Sequence, residues 1–201
     1  MKRFGWTALL LALMLVLPLA APAETAAPEA EAPQADNYFL SRAYTNLDGT
    51  PFDVSALQGK PLFLNIWATW CPPCVAEMPH LDELAKEYEG RIAIIGLHSE
   101  GMTVTAGEGF IANDEANEAA MALRDQMGLT YPLLNPDASL FYVMNSDDYG
   151  LRIQAVPTTW LIDGQGYVRQ VLEGAADKQG WTDIIEEFLN MLEQEDAAPQ
   201  G

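Results

Sequence analysis

Residues 62–79 read Leu62-Phe63-Leu64-Asn65-Ile66-Trp67-Ala68-Thr69-Trp70-Cys71-Pro72-Pro73-Cys74-Val75-Ala76-Glu77-Met78-Pro79. The first six are apolar on both faces apart from Asn65, the pattern of a strand buried within a sheet. From Cys74 onward Met78, Leu81, Leu84, Ala85 and Tyr88 recur at helical spacing, with Glu77, Asp82, Glu83 and Glu87 on the other faces. Gly90 ends that run, and Pro79 predicts a kink within it. Arg91 to Leu97 is a second buried strand, so the order strand, helix, strand requires a right-handed parallel crossover. The cysteines then occupy the loop at the carboxyl end of a strand, where open α/β sheets place their sites.

Working outward, Asp48-Gly49 between two short alternating runs, Tyr44 to Val54, predicts a hairpin that opens the domain. Ser99 to Phe110, with Gly101, Gly107 and Gly109, reads as a long loop, followed by an Ala-rich helix from Asp114 to Met127. A short strand over Tyr131 to Leu134 and a helix over Asp137 to Tyr149 come next. Thr158 to Ile162, the turn Asp163-Gly164-Gln165-Gly166 and Tyr167 to Leu172 form an antiparallel hairpin, and Trp181 to Leu192 a final amphipathic helix. The fold class is therefore α/β, a central mixed sheet flanked by helices.

Lys2 and Arg3 precede an apolar run from Ala8 to Leu17 that closes on Ala21-Pro22-Ala23, the order of a secretory signal peptide over residues 1–23. The apolar run is shorter than the roughly 20 residues of a spanning helix, although Phe4 to Ala21 is long enough to serve as an uncleaved anchor. Membrane contact is expected only if that segment is retained, and either way the folded part faces outward. Residues 24–36, built almost wholly of Ala, Pro, Glu and Gln, bury too little apolar surface to offset the entropy of ordering and read as a linker. Residues 37–196 are the size of one domain, and 197–201 form a disordered tail.

The formal net charge is −19, and loss of Lys2 and Arg3 with the leader would make it two charges more negative. Such a chain repels phosphate backbones, so no nucleic-acid partner is expected. The carboxylates are spread along the chain, as a solubilising surface requires, and do not single out a basic partner.

Only two cysteines are present, Cys71 and Cys74, two residues apart. A disulfide framework uses several pairs at longer range, and a zinc site needs about four ligands, which the placement of His80 and His98 does not complete. No metal is expected. What remains is a redox pair. Exchange begins when a thiolate attacks a disulfide, and Cys71, at or just before the first helical residue, meets unpaired N–H groups and the positive helix end. Cys74 lies one turn further in and is expected to be the more buried. Cys71 should attack and Cys74 should resolve. Pro72 and Pro73 remove two N–H donors that would otherwise solvate the thiolate, which favours a reductant over a strong oxidant.

The stretch Asn65 to Pro79 resembles the TlpA/ResA-like exported reductases of the thioredoxin superfamily: strand, Trp-Cys-x-Pro-Cys, then Glu and Pro three and five residues after the second cysteine. Val156-Pro157-Thr158-Thr159-Trp160-Leu161-Ile162-Asp163, followed by Gly164 and Gly166, matches the same branch. The resemblance spans Tyr38 to Leu192 and implies a thioredoxin-like fold with an N-terminal β-hairpin and an inserted helix. It implies that Pro157 is cis beside the cysteines, with Val156 offering backbone groups to an extended substrate. Trp70, Pro72, Pro73, Val156 and Pro157 are then the substrate-binding residues. Thioredoxins place a buried Asp six residues before the first cysteine; here that position is Asn65, and the resemblance passes the proton-acceptor task to Glu77. The competing reading of Glu77 is a solvent-exposed helix carboxylate.

By the same resemblance, a membrane thiol-disulfide electron donor of the CcdA/DsbD type reduces the Cys71–Cys74 pair. The dithiol then reduces a disulfide in an exported protein, apocytochrome c or a methionine sulfoxide reductase. No cofactor beyond the redox-active disulfide is implied. The region 99–112 departs from the simple pattern and is a candidate for substrate choice. Two other functions compete. A peroxiredoxin-like peroxidase would need Pro at position 64 and Thr at position 68, where Leu64 and Ala68 stand. A non-catalytic binding module on this scaffold would leave the intact cysteine pair and proline without a purpose.

Overall fold

The computed structural model describes residues 37–197. The expected signal segment, the linker and all but the first residue of the tail lie outside these described residues. The strands are β1 (Thr45–Asn46), β2 (Leu62–Trp67), β3 (Ala93–His98), β4 (Met102–Thr105), β5 (Gly109–Ala112), β6 (Leu133–Asn135), β7 (Thr158–Ile162) and β8 (Val168–Glu173). The helices are α1 (Pro72–Glu87), α2 (Asp114–Met127), α3 (Ala138–Asn145) and α4 (Lys178–Ala197), with a short 3-10 helix at Val54–Leu57. None of these helices is long and apolar enough to cross a membrane.

Six strands form one sheet in the order β1-β6-β3-β2-β7-β8. β2 pairs parallel with β3 and antiparallel with β7, so its carboxyl end opens at the centre of a mixed sheet. All six residues of β2 are buried, as an apolar strand covered on both faces requires. Successive side chains point to opposite faces. Phe63 and Trp67 join a core with Met78, Leu81 and Leu84 of α1 and Ile185 and Phe188 of α4. Leu62, Leu64 and Ile66 join the opposite core with Leu140 and Val143 of α3. Asn65 shares the parity of Phe63 and Trp67, so it faces α1 and α4.

Two expectations are corrected. The opening hairpin is shorter than expected: Asn46 N–H donates to the Thr50 carbonyl at 2.8 Å and Phe52 N–H to the Tyr44 carbonyl at 3.0 Å, around a single bridge, Thr45 to Pro51. Pro51 has no N–H to extend a ladder, and the Asp53 carboxylate accepts from Ser55 N at 2.9 Å, starting the 3-10 helix instead. β1 pairs with β6 in the main sheet. The second correction concerns the long loop. Residues 102–112 are a β-hairpin, β4 against β5, with Val104 opposite Phe110 and Thr103 opposite Ile111. Gly107 and Gly109 take φ of +110° and +76°, which is what a tight reversal requires and what made the segment read as a loop. Phe110 meets the Phe141 ring of α3 edge-on at 5.9 Å, anchoring the hairpin to the domain.

Elsewhere most boundaries move little, although the final helix, expected over Trp181 to Leu192, runs from Lys178 to Ala197. α2 spans Asp114–Met127 as expected, with Asn113 accepting from Ala116 N at its start and left-handed Gly128 at its end. The helix expected to reach Tyr149 stops at Asn145. α1 continues as one helix through Pro79.

Candidate active site

Cys71 is the N-cap residue of α1, and Pro72 and Pro73 follow as its first two helical residues. Proline fits there because its fixed φ suits the first turn and its missing N–H would have had no intrahelical partner. The Cys71 Sγ accepts the Cys74 N–H at 3.2 Å, so the sulfur itself caps the helix. The pair is a disulfide with Sγ–Sγ 2.08 Å and Cα–Cα 5.3 Å. Cys74 is the more buried, but only just: the two cysteines are 3 % and 1 % exposed. The expected contrast between an accessible and a covered sulfur is therefore slight in the oxidised form. Once reduced, a Cys71 sulfur at the positive end of α1 is favoured as the thiolate.

The Val156–Pro157 peptide bond is cis. Pro157 is buried, and the Val156 carbonyl oxygen lies 3.5 Å from Cys71 Sγ. The β7 end of the sheet thus brings Val156 and Pro157 against the cysteine loop, together with Trp70, which is 64 % exposed. Trp70, Pro72 and Pro73 adjoin the cysteines in the chain, and Val156 and Pro157 reach the same disulfide from the β7 end of the sheet.

Glu77 is 2 % exposed, which removes the reading of a solvated helix carboxylate. Its Oε1 accepts from Asn65 Nδ2 at 2.9 Å, and its Oε2 accepts from Trp181 Nε1 at 3.0 Å and Ala176 N at 3.3 Å. Burial pushes its pKa from 4.5 up to about 7; the three N–H donors, which favour the anion, offset only part of that. Asn65 is held in turn by donating to Thr159 Oγ1 at 3.1 Å. Glu77 stands one helical turn beyond Cys74 on α1, at the spacing of side chains that neighbour each other on a helix.

Several residues of this neighbourhood are missed by reading the sequence. Trp181 looks like one more apolar position of α4; its role as a donor to Glu77 depends on where α4 docks. Glu100, whose Oε2 accepts from Trp70 Nε1 at 2.7 Å, falls in a segment read only as loop. Asn65 carried a visible signal, a lone amide in an apolar strand, and burial without a partner would have been costly.

A redox disulfide capping a helix at the carboxyl end of a central parallel strand, faced by a cis-proline, defines a thioredoxin-like thiol-disulfide oxidoreductase. A family model described as Redoxin matches residues 22–185, and the chain belongs to that family, within its ResA-like branch. It is 32 % identical over 165 residues to the thiol-disulfide oxidoreductase ResA of Halalkalibacterium halodurans, covering 81 % of this chain and 77 % of that one. It is 30 % identical over 138 residues to the thiol:disulfide interchange protein DsbE of Haemophilus influenzae, covering 69 % and 64 %. Among solved structures, a thiol:disulfide interchange protein from Chlorobium tepidum shares the fold at a TM-score of 0.54 and 24 % identity, covering 74 % of this chain and 93 % of that one.

Proposed function

We propose that this oxidoreductase is an exported reductant of protein disulfides. The Cys71 thiolate attacks one sulfur of a substrate disulfide, forming a mixed disulfide and releasing the other substrate sulfur as a thiolate. Glu77, as carboxylate, accepts the Cys74 proton. The Cys74 thiolate then attacks Cys71 Sγ, expels the second substrate sulfur and closes the Cys71–Cys74 disulfide. Two electrons pass to the substrate, whose two sulfurs leave as thiolates and take up protons from Glu77 and solvent, and a membrane thiol-disulfide donor of the CcdA/DsbD type restores the dithiol. Trp70, Pro72, Pro73, Val156 and Pro157 contact the substrate, with Val156 offering its backbone to an extended segment.

The observation that carries this reading is the buried Glu77 carboxyl, with a pKa of about 7, one turn from a helix-capping disulfide. The direction is supported by Pro72 and Pro73, which leave the Cys74 N–H as the donor to Cys71 Sγ and so stabilise the thiolate less than a loop of free amides would. Export is supported by the Lys2-Arg3 and apolar leader. Oxidised apocytochrome c and an exported methionine sulfoxide reductase are the substrate classes proposed.

Two measurements test it. Cys74→Ala should accumulate its substrate as a mixed disulfide through Cys71, and the captured protein identifies the pathway. Equilibration with a redox buffer should give a potential near the thioredoxin value of about −270 mV; a value near −120 mV would make the protein an oxidant and overturn the proposal.

A further inference from the structure

The turn His98–Gly101, which joins β3 to β4, is held from three directions. Ser99 N–H donates to the Trp67 carbonyl at 2.9 Å, tying the turn to β2, and Gly101 N–H closes it on the His98 carbonyl at 3.2 Å. From α2, Asn117 Nδ2 donates to the Gly101 carbonyl at 3.2 Å, while its Oδ1 lies 3.2 Å from His98 Nδ1. Asn113 N–H donates to the same Gly101 carbonyl at 3.1 Å. From β6, Asn135 closes the other side: a Cβ on Gly101 would lie 2.3 Å from Asn135 Oδ1, so no side chain fits there. His98 is fully buried, with its ring 5.0 Å from that of Trp67. Buried amides bonded on both sides fix a backbone far more tightly than solvent-exposed turn contacts do.

This fixed turn presents Glu100, and Glu100 holds the indole of Trp70 by its N–H. Trp70 is the residue before Cys71 and is mostly exposed, so nothing in the core dictates its rotamer. Trp70 and Glu100 line a groove of about 260 Å³ with Met144, Ile153 and Val156, the last of which meets Cys71 Sγ. The Trp70 ring is a wall of that groove, and its position is set from α2 and β6, elements outside the cysteine loop.

We propose that Glu100 and Asn117 are positioning residues for the reduction of polypeptide disulfides: Asn117 pins the 98–101 turn, and Glu100 then holds the Trp70 ring as a fixed wall of the groove beside Cys71. This rests on the disulfide-reductase reading above. A wall ordered before binding spares the substrate the entropy of immobilising it, and one such side chain corresponds to about three- to tenfold in affinity. The effect falls on binding of an extended chain, since a small disulfide has no segment to lie along the groove.

The test uses the full chain with Glu100→Ala, Glu100→Gln, Asn117→Ala and Trp70→Phe, assayed with oxidised insulin and with oxidised glutathione. Glu100→Ala and Asn117→Ala should raise KM for insulin about three- to tenfold, with a smaller change for glutathione and with Trp70 fluorescence anisotropy reduced, read as the difference from Trp70→Phe. Glu100→Gln keeps an oxygen that accepts the indole N–H and should restore both readouts. In a Trp70→Phe background, Glu100→Ala should have no further effect. The proposal is overturned if Glu100→Ala leaves KM and anisotropy at wild-type values, if Gln fails to rescue, or if the Ala effect persists without Trp70. Should Asn117→Ala not fold, the two Glu100 variants decide. Failure of the wild-type protein to reduce insulin while reducing glutathione would count against the functional reading, and the anisotropy arm would still decide whether Glu100 positions Trp70.

Discussion

Glu77→Gln should flatten a pH dependence of stability that the wild-type protein carries between about pH 4.5 and 7. The folded pKa is raised above the unfolded one. The neutral carboxyl therefore contributes stability that is fully present below pH 4.5 and is lost as pH rises through about 7. The interval from 4.5 to about 7, at about 1.4 kcal/mol for each pH unit, corresponds to about 3 kcal/mol. Gln fits the same space. Its oxygen accepts from Trp181 and Ala176, and its amide donates to Asn65 once the Asn65 amide turns over, which its unpartnered Oδ1 permits. The assay is urea unfolding of the oxidised protein, wild type against Glu77→Gln, at intervals from about pH 4 to 9. Other carboxylates titrate alike in both proteins, so the difference isolates this group. It should shift in favour of Gln by about 3 kcal/mol across the range, with its midpoint slope between the two pKa values. A difference that stays constant with pH would refute the reasoning, because the buried carboxyl would then titrate as it does in the unfolded chain.

Trp181→Phe removes one of the three donors that favour the Glu77 anion, so the pKa should rise further; the upper break of the same difference curve should move up by about one to two pH units. Asp82 behaves in the opposite sense. Burial raises its pKa, but Lys86, Thr130 N–H and hydroxyl, and Tyr131 N–H outweigh it and hold the pKa down at about 2. Its stability contribution is thus present above 3.8 and lost as pH falls toward about 2. Asp82→Asn should cost about 2 kcal/mol near neutrality and remove that acid loss, seen by urea unfolding at about pH 2 to 7. Gly101→Ala drives a methyl onto Asn135 and should cost about 1–3 kcal/mol by the same assay.

What the sequence discloses here divides along the range of the interactions. β2, α2 and β7 are legible to the residue because period and caps are local: six buried positions, Asn113 with Gly128, and a run of β-branched and apolar residues from Thr158 to Ile162 after Pro157. The 102–112 hairpin is not. Its Val104–Phe110 and Thr103–Ile111 pairs are interrupted by the glycines that make the turn possible, and glycine alone signals loop as readily as hairpin. The cysteine pair and the proline are legible from spacing and resemblance. The three donors on Glu77 come from β2, the segment before α4, and α4 itself, and no local pattern reports that these three meet.

A strand aspartate at position 65 would be fixed by the sheet, whereas Glu77 projects from α1 and is clasped by Trp181 of α4 and by Ala176 in the segment just before it. Charging Glu77 strengthens those two bonds, since a bond to an ionised acceptor is roughly twice as strong as a neutral one. On the mechanism proposed above, taking the Cys74 proton tightens the contact between α1 and the start of α4 at the moment the inner sulfur becomes nucleophilic. Hydrogen exchange at the Ala176 amide and the Trp181 indole should slow as pH rises through about 7, after correction for the intrinsic rate. Uniform exchange across that range would mean that the charge on Glu77 is not felt by α4.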